Sequence, residues 1–477
     1  MGPTNDLLLV ERDVGRCHGL PGSSRHDDTA AGDPGAARRH AAVPYAAAIA
    51  VLAHSVGGAG LPFDRWLFVY GAVLALLLTF FALRMMWLRP RFASGATRPF
   101  PSPRGGRAGG AVHVVMRAIG LFGFAVVLVA ALWGSVDPGS NVTPTALHVF
   151  WVGFIVVCSL IGDVYPAVNP FDTLAWLLRV PRSTGRGTPG RWTAAVLLSS
   201  YLWYELAYHD PLSPRSIGAW LATYTVVTMA GAVWWGRDWL RDGEGFAALF
   251  GLLGLLAPIG RDRTTGRLRL RAPLTGLSSV DRSNGSLAVL VVVLGAVAFD
   301  AFTGTTFWGD VIGARSGWSL TFVDTIGLVW LVAVAAGVYL AAVNVLARLT
   351  DGDPRVLAGT FSAVLVPITF GYAVAHYFGL LVYDSQNLYA LVSDPFGRGW
   401  DLFGTIDHTV DYSVISAQTI ALVQGAVIVA GHVGSGIASH DRALELFRPR
   451  TAMAARIPLF VALAVSGAAA MELLLGA

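Results

Sequence analysis

His376 stands inside "PITFGYAVAHYFGLLVYDSQ", residues 367–386, about two turns before the end of a long apolar run, with Tyr372 four residues earlier on the same helical face. An ionisable ring at that depth is costly, so it either serves a function or donates as a neutral imidazole to a carbonyl of a neighbouring helix. Pro367 can kink the run and open a cavity beside it. In "YLWYELAYHDP", residues 201–211, Glu205 and His209 have the i,i+4 spacing that can place a carboxylate and an imidazole on one metal ion or one proton. The plainer alternative there is a solvated helix end partnered by Arg215. Asp300 in "GAVAFDAFTG" follows a long apolar run without a basic neighbour, and Asp324 in "LTFVDTIGLV" lies near a helix end that it can cap. His54 follows a short apolar segment. If a signal is removed after Ala53, its free amine and ring can chelate one Cu(II) with help from a distant His; otherwise it is an ordinary exposed residue.

The elements that must position these groups are membrane helices. Hydrophobic residues make up 54% of the 477, charged residues only 13%, and the mean hydropathy is +0.58, far from a soluble domain. The pI of about 9.2 does not indicate nucleic acid, because lysine is absent and arginine is confined largely to loops between apolar segments. Cys17 and Cys158 are too few for a disulfide framework or a Cys-rich zinc site. Any metal must therefore rely on His, carboxylate and water.

Residues 1–37 are polar and aperiodic, which suits a disordered tail or a misassigned start. Arg38, Arg39 and His40, the 13 mostly apolar residues 41–53, and small residues at Val51 and Ala53 read as a signal peptide over 38–53. An all-α transmembrane bundle over 54–477 is expected to follow. Ten segments are long enough to span: about 66–88, 112–133, 145–162, 193–208, 217–235, 286–304, 322–347, 357–382, 413–433 and 457–475. Gly245 to Pro258 is apolar but short, and reads as interfacial or re-entrant. With His54 outside, the inner loops carry 23 Arg and the outer loops four. That bias predicts a plasma-membrane protein with both mature termini extracytoplasmic.

This orientation puts His54, His148, His209, His376 and His408 at or near the outer face, with eleven carboxylates including Glu205, Asp300 and Asp384. Such a face attracts divalent cations. In the long outer loop 383–412, "DPF" predicts a helix start with Asp394 as its cap, matched on the inner side by "NPFDTLAWLL" from Asn169. The basic loop 261–282 reads as a tether for anionic lipid headgroups, and "ASHDRALELF" as an amphipathic surface helix.

"AHSVGGAGLP", "NPFDTLAWLL", "RAPLTGL", "AHYFGLLV", "SDPFGRGWDLFG" and "SHDRALELF" together resemble the actinobacterial multi-pass membrane proteins labelled fenitrothion hydrolase. The resemblance covers nearly everything after the leader and implies hydrolysis of organophosphate triesters, small apolar substrates that reach an outer cavity through the bilayer. In a metal-assisted version, zinc, manganese, iron or copper is held by His376 and His209, with Glu205 and His54 as further candidates. Asp300 is then a bridging carboxylate or general base, and Tyr372 orients the substrate oxygen. A copper or transition-metal acquisition protein, or a structural subunit of a membrane complex, is the alternative. No Gly-rich phosphate loop, nucleophile-elbow serine or HExxH motif supports another hydrolytic chemistry.

Overall fold

The computed structural model describes residues 65–93, 95, 97–100, 107–262 and 267–476. The leader 1–37, the signal segment 38–53 and His54 lie outside the described residues. Apolar runs of 16 to 34 residues set the main helices, and Asn, Ser, Thr, Asp or Glu side chains start many of the others. In chain order the helices of seven or more residues are α1 (Arg65–Met86), α2 (Arg107–Trp133), α3 (Val142–Leu160), α4 (Pro170–Leu177), α5 (Arg191–Leu206), α6 (Pro214–Trp235), α7 (Gly245–Leu253), α8 (Asn284–Thr303), α9 (Thr306–Ile312), α10 (Gly317–Thr350), α11 (Pro354–Thr360), α12 (Leu365–Leu391), α13 (Ala417–Leu446), α14 (Pro449–Ala455) and α15 (Ile457–Gly476). The architecture is the all-α bundle that the apolar runs predict.

Among the described residues nine stretches are long and apolar enough to cross a membrane, which makes the chain a multi-pass membrane protein. The tenth expected span, 193–208, is the 16-residue α5, about 24 Å long and short of a typical hydrocarbon core. Arg191 at its start bonds Asp242 at 2.8 Å, and the chain just beyond its end meets Thr321 near the start of α10. Pro354 to Leu391 forms one apolar stretch broken by a 3-10 turn at Ser362–Val364. Pro367, whose ring opposes the carbonyl four residues back, accounts for the break. Its effect is therefore a restart before α12 rather than a kink within it.

Helices approach closely where glycine removes the side chain. A Cβ on Gly431 of α13 would lie 2.8 Å from the Pro367 carbonyl oxygen and 3.2 Å from the Gly371 Cα of α12, a small-residue crossing of the kind membrane helices favour.

Four expectations are corrected. Of the two readings of Gly245 to Pro258, the interfacial one gives way and the re-entrant one stands: α7 is buried, and Phe246 and Phe250 pack on Phe150 and Phe154 of α3 at 5.2 and 5.4 Å. The described residues of the basic loop 261–282 are in part folded onto the bundle. Its residues Leu268–Leu270 form β3, pairing antiparallel with β1 (Arg98–Pro99) and β2 (Ile259–Arg261) in the order β1-β3-β2, and Arg271 donates to the carbonyls of Gly254 and Ala257. "SDPF" starts no helix, because Asp394 accepts from the amides of Arg398 and Gly399 and the chain turns through Gly397 and Gly399 at positive φ. "NPFD" does, with Asn169 accepting from Phe171 and Asp172. Finally, "ASHDRALELF" is the buried end of α13. Asp441 there accepts from the Trp87 indole and the Arg91 and Phe92 amides, and His440 bridges the Trp87 carbonyl and Arg456.

Glu244 illustrates how a buried acid is held outside the spanning helices. Fully buried, it caps α7 by accepting from the Phe246 and Ala247 amides at 2.9 and 2.8 Å and from the Tyr224 hydroxyl. Burial pushes its carboxyl up from 4.5 to about 6, against those hydrogen bonds. Between these values the folded chain holds the proton more tightly than the unfolded one. Stability is therefore full below 4.5 and falls as pH rises towards 6, by roughly 2 kcal/mol. Thermal unfolding in detergent across this range is expected to show that decline in the wild type and to lose it in Glu244→Gln.

Candidate functional site

Four helices bring ionisable side chains together inside the bundle. On α12, His376, Tyr377 and Asp384 follow one another, with Asp384 seven residues beyond Tyr377 on the same face. His148 and Trp151 of α3 are three residues apart, Tyr201 and Glu205 of α5 four apart, and α8 supplies Asp300 near its end.

Asp300 is the centre of the first cluster. Its Oδ2 lies 2.9 Å from His376 Nε2 and accepts from the Tyr377 hydroxyl at 2.6 Å. A carboxylate only accepts, so Nε2 is the donor of this pair, and in the neutral ring that leaves the lone pair on Nδ1. His148 is the centre of the second. Its Nε2 is 3.0 Å from Glu205 Oε1 and its Nδ1 3.3 Å from Asp384 Oδ2, while the Trp151 indole donates to Glu205 Oε1 at 3.2 Å. Each ring nitrogen of His148 thus faces an acid. Trp151 joins the clusters, its ring edge-on to Tyr377 at 5.0 Å and to Tyr201 at 5.8 Å.

Beside the first cluster lies an apolar cavity of about 330 Å³ between α8, α10, α12 and α15, lined among others by Leu294, Ala298, Ala335, Tyr372, His376 and Leu463. Its lining residues Val334, Val338 and Val465 are 40%, 39% and 59% exposed on the outside of the bundle, within segments that cross the membrane. The cavity therefore opens sideways toward lipid. Its hydroxyls are engaged: Tyr339 donates to the Ala358 carbonyl, Ser466 to that of Leu463, and Tyr372 to that of Ser466 at 2.7 Å. His376 Nδ1 makes no hydrogen bond among the described residues.

The sequence-derived residues are thus only partly assembled. Asp300 and His376 meet directly. Tyr372 shares the cavity wall with His376, but its hydroxyl is directed to Ser466 and to His432 Nε2 at 3.2 Å. Glu205 and His209 do not pair, because α5 ends at Leu206 and the helical spacing is lost before His209. His209 instead contacts Thr321 through its amide and Nδ1, both at 3.0 Å, and lies edge-on to Trp318 at 5.3 Å. Asp324 lies within α10 and accepts from the Trp308 indole rather than capping. His376, His209 and Glu205 do not gather as a ligand set. Among the described residues no group of three or more His, Cys, Asp or Glu is disposed to hold a metal ion. The Glu205–His148–Asp384 trio is strung through opposite ring nitrogens instead of surrounding a point. The sequence places His148 and Asp384 on the outer face without making them a site, and it does not point to Tyr377; the signal for His148 is a polar residue at i−3 from a tryptophan in an apolar run.

No protein-family profile matches the chain, and neither a curated protein nor a solved structure matches it.

Proposed function

We propose that this membrane protein takes a small, uncharged, apolar ester from the bilayer into the cavity beside α10 and α15 and hydrolyses it with His376 as general base. The observation that carries this reading is the single unengaged nitrogen in an otherwise apolar or hydrogen-bonded cavity wall, on a ring whose other nitrogen is held by Asp300. Asp300 fixes the tautomer; His376 Nδ1 takes a proton from a water attacking the ester centre; the charge that forms on the ring is balanced by the carboxylate behind it. A neutral aryl phosphotriester suits the cavity and is the substrate class that the fenitrothion hydrolase resemblance implies. A metal carrier needs convergent donors; among the described residues none converge, whereas His376 and Asp300 do meet, and the base mechanism uses that pair.

A diazirine-bearing aryl phosphotriester analogue in lipid vesicles tests the cavity. Labelling is expected on peptides of α8, α10, α12 and α15, saturable by unlabelled ester. Ala298→Phe, which fills the cavity while keeping both His376 and Asp300 in the chain, is expected to reduce it at least about tenfold. Labelling spread evenly over lipid-facing helices, unchanged in Ala298→Phe, would count against it.

A further inference from the structure

A second cavity, of about 310 Å³, lies between α2, α3, α6 and α7, and neither His376 nor Asp300 lines it. Its wall differs in kind from that of the first. The His376 cavity is faced mainly by Leu, Val, Ala and Ile side chains, whereas this one is faced by rings, among them Phe124, Phe150, Phe171, Trp220, Tyr224 and Phe246. The rings brace one another edge-on or tilted: Phe124 meets Phe171 at 5.5 Å, Phe150 meets Phe246 at 5.2 Å and Trp220 meets Tyr224 at 4.9 Å. A further ring gains from edges and faces held in this way, while an alkyl chain gains only apolar area. On the α2 side the lining includes Ile119, 56% exposed, and the exposed Gly123, both within a membrane-crossing stretch. A Cβ on Gly123 would meet nothing within 4 Å, so the cavity is open toward lipid there.

The tyrosines of the wall differ in their hydrogen bonds. Tyr224 donates its hydroxyl to Glu244 and accepts from the Gly245 amide at 3.2 Å. Tyr165 is only 1% exposed, and its hydroxyl makes no hydrogen bond among the described residues. A buried hydroxyl is ordinarily satisfied by protein, water or ligand, and an apolar cavity holds water poorly.

We infer that this cavity binds a small, neutral aromatic carbonyl compound dissolved in the bilayer, whose ring packs among Phe124, Phe150 and Trp220 and whose oxygen accepts from the Tyr165 hydroxyl. The volume lies at the small end of ligand pockets, and the free donor in a ring-lined wall selects a ligand with an acceptor oxygen. The inference is independent of the hydrolase reading.

Benzophenone is the probe, because it is itself an aromatic ketone and forms covalent adducts on irradiation. With the full chain in phosphatidylcholine vesicles, saturable adducts are expected on peptides of α2 and α6, displaced by excess 2-acetonaphthone and not by hexadecane. Gly123→Leu fills the lipid-facing side of the cavity and is expected to lower these adducts at least about tenfold. Tyr165→Phe removes only the hydroxyl. It is expected to raise the half-saturating concentration about two- to tenfold, the effect of one hydrogen bond, with a melting temperature close to that of the wild type. Equal displacement by hexadecane would reveal a crevice that any apolar chain fills and would overturn the site. A wild-type half-saturating concentration in Tyr165→Phe would overturn it as well. No turnover is read, so a chain without esterase activity gives an equally decisive result.

Discussion

Replacing His376 by alanine is expected to lower phosphotriester turnover by about 10²- to 10⁴-fold, the range contributed by a positioned general base. The loss should appear in kcat, with KM little changed, because the cavity wall is built from many apolar residues and the ring forms only a small part of it. Asp300→Asn is the sharper variant. It preserves volume, but an amide can present N–H groups where the ring needs an acceptor, and it then favours the tautomer with the proton on Nδ1. A ring in that state cannot accept a proton from water, so a loss of about 10²-fold or more is expected with the base still present. Equal loss in both variants, measured as initial phenolate release, supports a pair acting as a unit. An active Asp300→Asn would show that His376 works without its carboxylate.

Asp441→Ala is expected to cause the largest loss of stability. Its carboxylate receives the Trp87 indole N–H at 3.0 Å and the Arg91 and Phe92 amides at 2.6 and 3.3 Å, so it fastens the chain after α1 to the end of α13. The side chain is only 3% exposed, and its removal strands donors that water reaches poorly. A cost of roughly 3 kcal/mol or more follows, since each stranded buried group costs about 1–3 kcal/mol. Trp87→Phe removes one of the three bonds and keeps most of the apolar contact, and is expected to cost about 1 kcal/mol. Thermal unfolding in detergent measures both. Similar melting temperatures for the two variants would mean that the backbone amides find other partners.

The helices were legible because the bilayer imposes a length and an apolar composition that no loop here satisfies. Asp300 and His376 were legible one at a time, since each is an ionisable group in an apolar run. Their pairing was not: 76 residues separate them, and helix-to-helix contact leaves no local period. The same limit hid the His148 trio, assembled from α3, α5 and α12. Glu205 and His209 show the converse error, in which a correct helical spacing is voided by a helix that stops one turn early. "ASHDRALELF" misled for another reason. Glu445 is exposed and pairs with Arg282 and Arg442, but Asp441 and His440 meet an indole, backbone amides, a carbonyl and the fully buried Arg456, and backbone partners are invisible to charge patterning.

The most direct test of the central claim is phenolate release from a neutral aryl phosphotriester by the purified wild-type protein in lipid vesicles. Saturable release, well above protein-free vesicles and lost in His376→Ala, is the expected result. Release no faster than from empty vesicles, or equally fast in His376→Ala, would contradict the assignment of His376 and Asp300 as the base that faces the cavity.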